Sequence, residues 1–201
     1  MQRRARWAKL PGVPPAPAAV PCNRSLIMPA RHRVLAAVAV ALLAAGSGAA
    51  LAAETTYKAV LDGAAHVPEA IKTPATGEVT LTVSEDGRSI RYVISVKDIT
   101  NVAAADLHLG PPGANGPLVV KLFPVGGAAA KKGPFSGVLA QGRIDAGDLT
   151  GPMTGSGLDE LIEQIQTGNA YVNVHTNDGV DPANSGPGDY RLGEIRGQIE
   201  R

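Results

Sequence analysis

Two histidines and an aspartate lie in strand-like segments and have side chains that could bind a transition metal ion. Asp106 and His108 are two residues apart in segment 104–109, and His175 lies in segment 170–176. In an extended strand, residues i and i+2 project from the same face. If the two strands are neighbours with these faces aligned, one carboxylate and two imidazoles converge. Such a set suits zinc or copper, so one interpretation of these residues is a metal site at Asp106, His108 and His175.

A second interpretation of the same strands needs no metal. In AYVNVHT, Asn173 and His175 share one face, and Arg196 lies in the last predicted strand. In this interpretation His108 and His175 bond to the backbone and to Asn173 or Arg196. The resulting structural polar cluster of Asn173, His175 and Arg196 fixes strand register by hydrogen bonding. Both interpretations stay open at this stage. A further histidine, His66, could add a third imidazole, but it lies in a proline-containing loop and is expected to be solvated.

Directly after His175 comes a long, turn-rich and acidic segment, residues 177–189. Asp178, Asp181 and Asp189 could contact a partner there, which would suit a cell-surface adhesion protein. The spacing does not follow the calcium loop of an EF-hand, and side-chain-to-backbone turns explain the same residues. A loop of this length is often functional, so it is kept as a candidate contact surface.

The elements that must position these residues are short β-strands separated by Gly- and Pro-rich loops. Alternating apolar residues predict strands in TYKAVLD, GEVTLTVS and SIRYVISV, and in segments 104–109, 117–123, 135–144, 170–176 and 193–200. One segment departs from this pattern. Leu158, Leu161, Ile162 and Ile165 form a helical stripe, and Gly168 is the predicted stop. The pattern is typical of an antiparallel sandwich or barrel with one short helix.

The start of the chain has the features of an export signal. Residues 31–33 are basic, residues 34–45 form an apolar run too short to span a bilayer, and residues 50–52 form an A-x-A cleavage site. We therefore assign residues 28–53 to a signal peptide and residues 1–27 to a start-site misassignment or unstructured leader. The predicted location is periplasmic or secreted, without stable membrane insertion after cleavage.

Composition excludes several classes of function. Residues 54–201 hold 12 basic and 18 acidic residues, a net charge of −6, which makes nucleic acid an unsuitable partner. The single cysteine, Cys22, precedes this region, so no disulfide can form within it. The chain has no nucleophile elbow, zincin helix or Walker loop, and we expect no enzymatic activity.

Three segments together resemble the CHRD domain, the chordin-type module found singly in many exported microbial proteins. They are ADLHLGPPGANGPLVVKLF, AYVNVHT and GEIRGQI, in that order. The resemblance covers residues 54–201 and implies an all-β, antiparallel immunoglobulin-like β-sandwich with one short helix. It implies no settled activity. We expect a non-catalytic binding or structural module whose partner is an extracytoplasmic protein or small ligand. The chain differs where family members often have a histidine in place of Asp106, and in its longer 177–189 segment.

Overall fold

The computed structural model describes residues 53–124 and 130–201. The leader assigned to residues 1–27 and nearly all of the signal peptide assigned to residues 28–53 lie outside the described residues. The elements follow one another along the chain as β1 (Thr55–Asp62), β2 (Thr76–Val83), β3 (Ile90–Leu109), β4 (Leu118–Phe123), β5 (Lys131–Ile144), α1 (Leu158–Gln166), β6 (Ala170–Thr176) and β7 (Ile195–Gln198). Two 3₁₀ turns, Ala146–Asp148 and Gly151–Met153, precede α1.

The strands form one antiparallel sheet that closes on itself. Strands β2 and β6 pair with successive parts of β3, and β1 and β7 complete a five-stranded ring. Strands β4 and β5 also pair with β3. The predicted antiparallel β-structure with one α-helix is confirmed, whereas the immunoglobulin-like sandwich of two separate sheets is not.

The closure depends on the length of β3, which the sequence pattern divides into two strands. Its ladder with β5 changes register between Val96 and Ile99 and again between Thr100 and Val102. Asp98 and Asn101 have positive φ angles of 53° and 55°. Such irregularities bend and twist a strand without ending it. One bent strand can therefore join the β1–β2 part of the sheet to the β6–β7 part.

Helix α1 forms where the apolar stripe predicts it. Leu158, Leu161 and Ile165 are buried, and Gly168 adopts a positive φ of 72° beyond the last turn. The N-cap residue is Gly157, and the hydroxyl of the neighbouring Ser156 donates to Glu160 at 2.8 Å. Within residues 53–124 and 130–201, no helix is both long and apolar enough to cross a bilayer.

The core determines which way the polar residues of β3 and β6 point. Leu107 of β3 and Val172 and Val174 of β6 are fully buried members of one apolar cluster. Successive residues of a strand point to opposite faces. Asp106 and His175, which alternate with these core residues, therefore project from the outer face of the sheet, where the connecting loops can cover them.

Candidate functional site

The register of β3 and β6 brings the predicted metal-binding residues together. Asp106 lies opposite Asn173, His108 opposite Tyr171, and Ala104 opposite His175. One ligand atom from each of Asp106, His108 and His175 lies within 4.8 Å of the other two. The Nε2 atom of His175 is 3.5 Å from Oδ2 of Asp106. The two histidines thus come from different strands and share one site with the carboxylate.

Both imidazoles are oriented by a backbone carbonyl. Nδ1 of His108 is 3.0 Å from the Gly116 oxygen, and Nδ1 of His175 is 3.0 Å from the Arg191 oxygen. A carbonyl oxygen can only accept, so each Nδ1 carries the proton, and in a neutral ring Nε2 keeps a free lone pair. Both Nε2 atoms are buried and have no hydrogen-bond partner among the described residues.

Burial sets the charge state of the cluster. It lowers the pKa of His108 and of His175, and the carbonyl bonds offset this only in part. Burial also raises the pKa of Asp106, with opposing effects from His108 and Lys121. Neutral imidazoles cannot form an ion pair with Asp106. The 3.5 Å contact between His175 and Asp106 therefore places a lone pair against a carboxylate oxygen, an arrangement that needs a shared proton or a cation.

An aromatic and cationic stack supports His108. The His108 and Tyr171 rings are stacked, with centroids 5.0 Å apart and planes inclined by 13°. On Tyr171, the guanidinium carbon of Arg196 lies 3.9 Å from the ring centroid. Arg196 is 4% exposed and donates to the backbone oxygens of Ala65 (3.1 Å) and Ala114 (2.9 Å). Arg196 therefore ties the β1–β2 loop, which carries Ala65, and the β3–β4 loop, which carries Ala114, to β7. Both loops are held over the site in this way.

Of the bonds expected for a structural polar cluster, those from the two histidine rings to the backbone are present. Asn173, His175 and Arg196 do not hydrogen-bond to one another within the described part of the chain. Asn173 lies opposite Arg196 in the β6–β7 ladder, but its amide donates to the Leu192 oxygen at 3.0 Å. His175 bonds to the Arg191 oxygen. All three side chains instead bind backbone carbonyls of neighbouring loops, so they attach loops to the sheet.

The loop before β7 is held close against β6. Gly193 has a φ of 123°, and a Cβ atom built there would lie 2.2 Å from Oδ1 of Asn173. The carboxylate of Glu194 is buried and accepts from the Thr176 hydroxyl at 2.6 Å, the Gly188 amide at 2.9 Å and the Thr73 hydroxyl. These contacts fix the position of the Arg191 carbonyl, which orients His175.

The acidic residues of segment 177–189 are used mainly within the segment. Asp178 accepts from the Val180 amide at 2.7 Å, and Asp181 lies 3.1 Å from the Arg191 guanidinium. Asp189 is only 2% exposed and accepts from the amide and hydroxyl of Ser185. Asp178 and Asp181 are exposed, but Asp189 is not available on the surface.

Several residues that shape the site gave no signal in the sequence. The Gly116 and Arg191 carbonyls orient the histidines through backbone atoms, so their side-chain types carry no information about this role. His66 was expected to be solvated, yet it is partly buried, and its Nδ1 is 3.0 Å from the Glu69 oxygen.

Comparison with known proteins gives one match. The family model described as CHRD domain matches residues 57–199, which is most of the chain. No curated protein and no solved structure matches the chain.

Proposed function

We propose that this chain, which belongs to the CHRD domain family, is a non-catalytic module that binds one divalent transition-metal ion through Asp106, His108 and His175. One observation carries the proposal. Two buried Nε2 lone pairs, free of hydrogen-bond partners among the described residues, lie with a buried carboxylate within 4.8 Å. A buried polar group without a partner costs about 1–3 kcal/mol, so a cluster of them calls for a ligand.

The donor set selects the class of metal. Imidazole nitrogens suit zinc and copper, whereas calcium and magnesium prefer an all-oxygen set. Nδ1–H bonds to carbonyl oxygens are the usual support for metal-binding histidines, because they fix the ring and its tautomer. The bound ion would also supply the positive charge that the Asp106 carboxylate lacks among neutral imidazoles. Three protein ligands leave at least one coordination position for water or a small ligand.

We also propose that the protein is exported, as a periplasmic or secreted protein. This rests on the basic, apolar and A-x-A features of residues 28–53. The other candidate, adhesion through residues 177–189, has less support, because Asp189 is buried and Asp178 bonds within the segment.

Metal titration of the purified, chelator-treated protein tests the proposed function. We expect one Zn²⁺ or Cu²⁺ ion per chain by calorimetry, with binding lost in His108→Ala and His175→Ala and weakened in Asp106→Asn. Asp178→Asn is the matched control, since it neutralises an exposed aspartate outside the site. Equal binding by the wild type and His175→Ala would contradict the proposal, and so would the absence of binding in the wild type.

A further inference from the structure

The loop between β1 and β2 carries a third histidine beside the site. Its turn is closed by a hydrogen bond from the Ile71 amide to the Gly63 oxygen (2.8 Å) and by one from the Ala65 amide to Asp62 (2.8 Å). We propose that His66, carried by this loop, is the fourth protein ligand of the metal, completing an Asp/His₃ set with Asp106, His108 and His175. This inference rests on the proposed metal-binding function and extends it.

The orientation of the His66 ring matches that of the two histidines in the cluster. Its Nδ1 is 3.0 Å from the Glu69 oxygen, a backbone acceptor three residues away. As in His108 and His175, Nδ1 carries the proton and Nε2 keeps the lone pair that a metal needs. Every histidine within residues 53–124 and 130–201 thus has the same tautomer, fixed by the same kind of bond.

Contacts on both sides of His66 hold the loop over the outer face of β6 and β7. The Ala65 oxygen accepts from Arg196 at 3.1 Å, and the Val67 oxygen accepts from Asn115 at 2.8 Å. Arg196 in turn lies on the Tyr171 ring, which is stacked on His108. The residues before and after His66 are therefore tied to the groups that surround the cluster.

Two surface depressions meet at His66 and show its position relative to β6. One, of about 490 Å³, is lined by His66 and Gly193, and Gly193 packs against Asn173. The other, of about 290 Å³, is lined by His66 and Arg196. His66 therefore lies beside Gly193 and Arg196, the two residues that adjoin Asn173 of β6.

His66 is not among the residues whose ligand atoms lie within 4.8 Å of one another, so binding requires the loop to move inward. Residues 64–65 and 68–70 are exposed, so an inward movement of His66 would not have to displace core side chains from these positions. Four protein ligands would complete the tetrahedral coordination that zinc prefers.

Cobalt(II) distinguishes four-coordinate from higher-coordinate sites, because its visible absorption is much stronger in tetrahedral geometry. The full chain, freed of metal, is titrated with Co²⁺ as wild type, His66→Gln and Glu69→Gln. Glu69→Gln is the matched control, since His66 uses only the backbone oxygen of Glu69. We expect intense visible absorption in the wild type and control. In His66→Gln, Co²⁺ should still bind, with the visible band shifted or weakened because water replaces a nitrogen ligand, and with the affinity lower by at least about tenfold.

The outcomes separate this inference from the function on which it rests. Binding and a spectrum like wild type in His66→Gln would overturn the role of His66 and leave the three-residue site intact. An equal loss in Glu69→Gln would overturn it as well, since the loop fold would then be the cause. Failure of the wild type to bind Co²⁺, Zn²⁺ or Cu²⁺ would overturn both. As a second variant, His66→Gly should regain the band when free imidazole is added, and absence of rescue would contradict direct ligation.

Discussion

The imidazole of His175 and the carboxylate of Asp106 face each other with Nε2 and Oδ2 3.5 Å apart. Because Nδ1 of His175 is committed to the Arg191 carbonyl, the facing nitrogen of the neutral ring has no proton to donate. Two acceptors at this separation are unfavourable without a shared proton or a cation between them. The relationship therefore links the strand register, the loop before β7 and the proposed metal site.

Metal should stabilise the folded protein, and this effect should depend on His175. At a free Zn²⁺ concentration of about 100 times the dissociation constant, the wild type should gain about 2.7 kcal/mol in free energy of unfolding. His175→Ala should lose about 1 kcal/mol without metal, since it removes the bond to the Arg191 carbonyl, and should gain nothing from Zn²⁺. Urea denaturation with Zn²⁺ and with a chelator measures both quantities. A gain of equal size in His175→Ala would place the ion elsewhere.

The metal-free protein should become less stable as the pH falls below about 6.5. Burial lowers the pKa of His108 and His175 below the usual 6.5, so below that pH the unfolded chain binds more protons than the folded chain. Stability is then lost between pH 6.5 and the lowered folded-state values, below which the loss stops growing. Urea midpoints across this range test the effect. The double variant His108→Gln, His175→Gln should lack this dependence of stability on pH. An unchanged dependence would count against neutral, buried imidazole rings.

At lower pH, Asp106 should change the stability of the metal-free protein in the opposite direction to the two histidines. Burial raises its pKa above the usual 3.8, so the folded chain holds a proton that the unfolded chain has released. The resulting stabilisation is present at low pH and is lost as the pH rises from 3.8 through the raised value. Asp106→Asn removes this contribution. Subtracting its stability profile from that of the wild type, both with chelator, should leave a difference that falls in this window as the pH rises.

The buried Arg196 should stabilise the covering loops in a way that lysine cannot replace. Lysine cannot donate to both the Ala65 and Ala114 oxygens while lying flat on Tyr171. We expect Arg196→Lys to lower the free energy of unfolding by about 1.5–3 kcal/mol. Arg143→Lys is the control, because Arg143 is exposed. Chemical denaturation measures the loss in free energy of unfolding in both variants. Equal losses would mean that Arg196 contributes its positive charge but not its specific hydrogen bonds.

Gly193→Ala should damage both stability and metal binding. The residue has a φ of 123°, and its new Cβ would lie 2.2 Å from Oδ1 of Asn173. We expect a loss of about 2 kcal/mol or more, with weaker Zn²⁺ binding because the Arg191 carbonyl would shift. Gly179→Ala, also at positive φ but with no atom within 4 Å of an added Cβ, should cost less and leave Zn²⁺ affinity unchanged. Calorimetric titration with Zn²⁺ and chemical denaturation of both variants test this prediction. It would be wrong if Gly179→Ala lost as much stability or Zn²⁺ affinity as Gly193→Ala.

Local patterns predicted the strands around the site but not how the strands combine. The alternation of Leu107 and His108, or of Val174 and His175, shows which residues share a face. The segment KDITN, residues 97–101, has the polar composition of a strand end. Strand β3 nevertheless continues through it, because β5 pairs with β3 on both sides of the register shift. Closure of the sheet depends on that long-range pairing, which no local pattern contains.

The site itself was predictable as a set of residue types and not as a geometry. Asp106, His108 and His175 were identified by their types and spacing. Their tautomers depend on the carbonyls of Gly116 and Arg191, which reach the histidines only after the loops fold. His66 could not be placed either, because its loop is positioned by Arg196, 130 residues further along the chain.

Nuclear magnetic resonance of the histidine side-chain nitrogens, recorded while Zn²⁺ is added to the metal-free protein, tests the central claim most directly. The account predicts that the Nε2 resonances of His108 and His175 change from free lone pair to metal-bound at one ion per chain. Both Nδ1 atoms should stay protonated throughout, because they remain bonded to the Gly116 and Arg191 carbonyls. The account would be contradicted if the Nε2 resonances did not respond at one Zn²⁺ ion per chain. Zn²⁺ binding through Nδ1 would also contradict it.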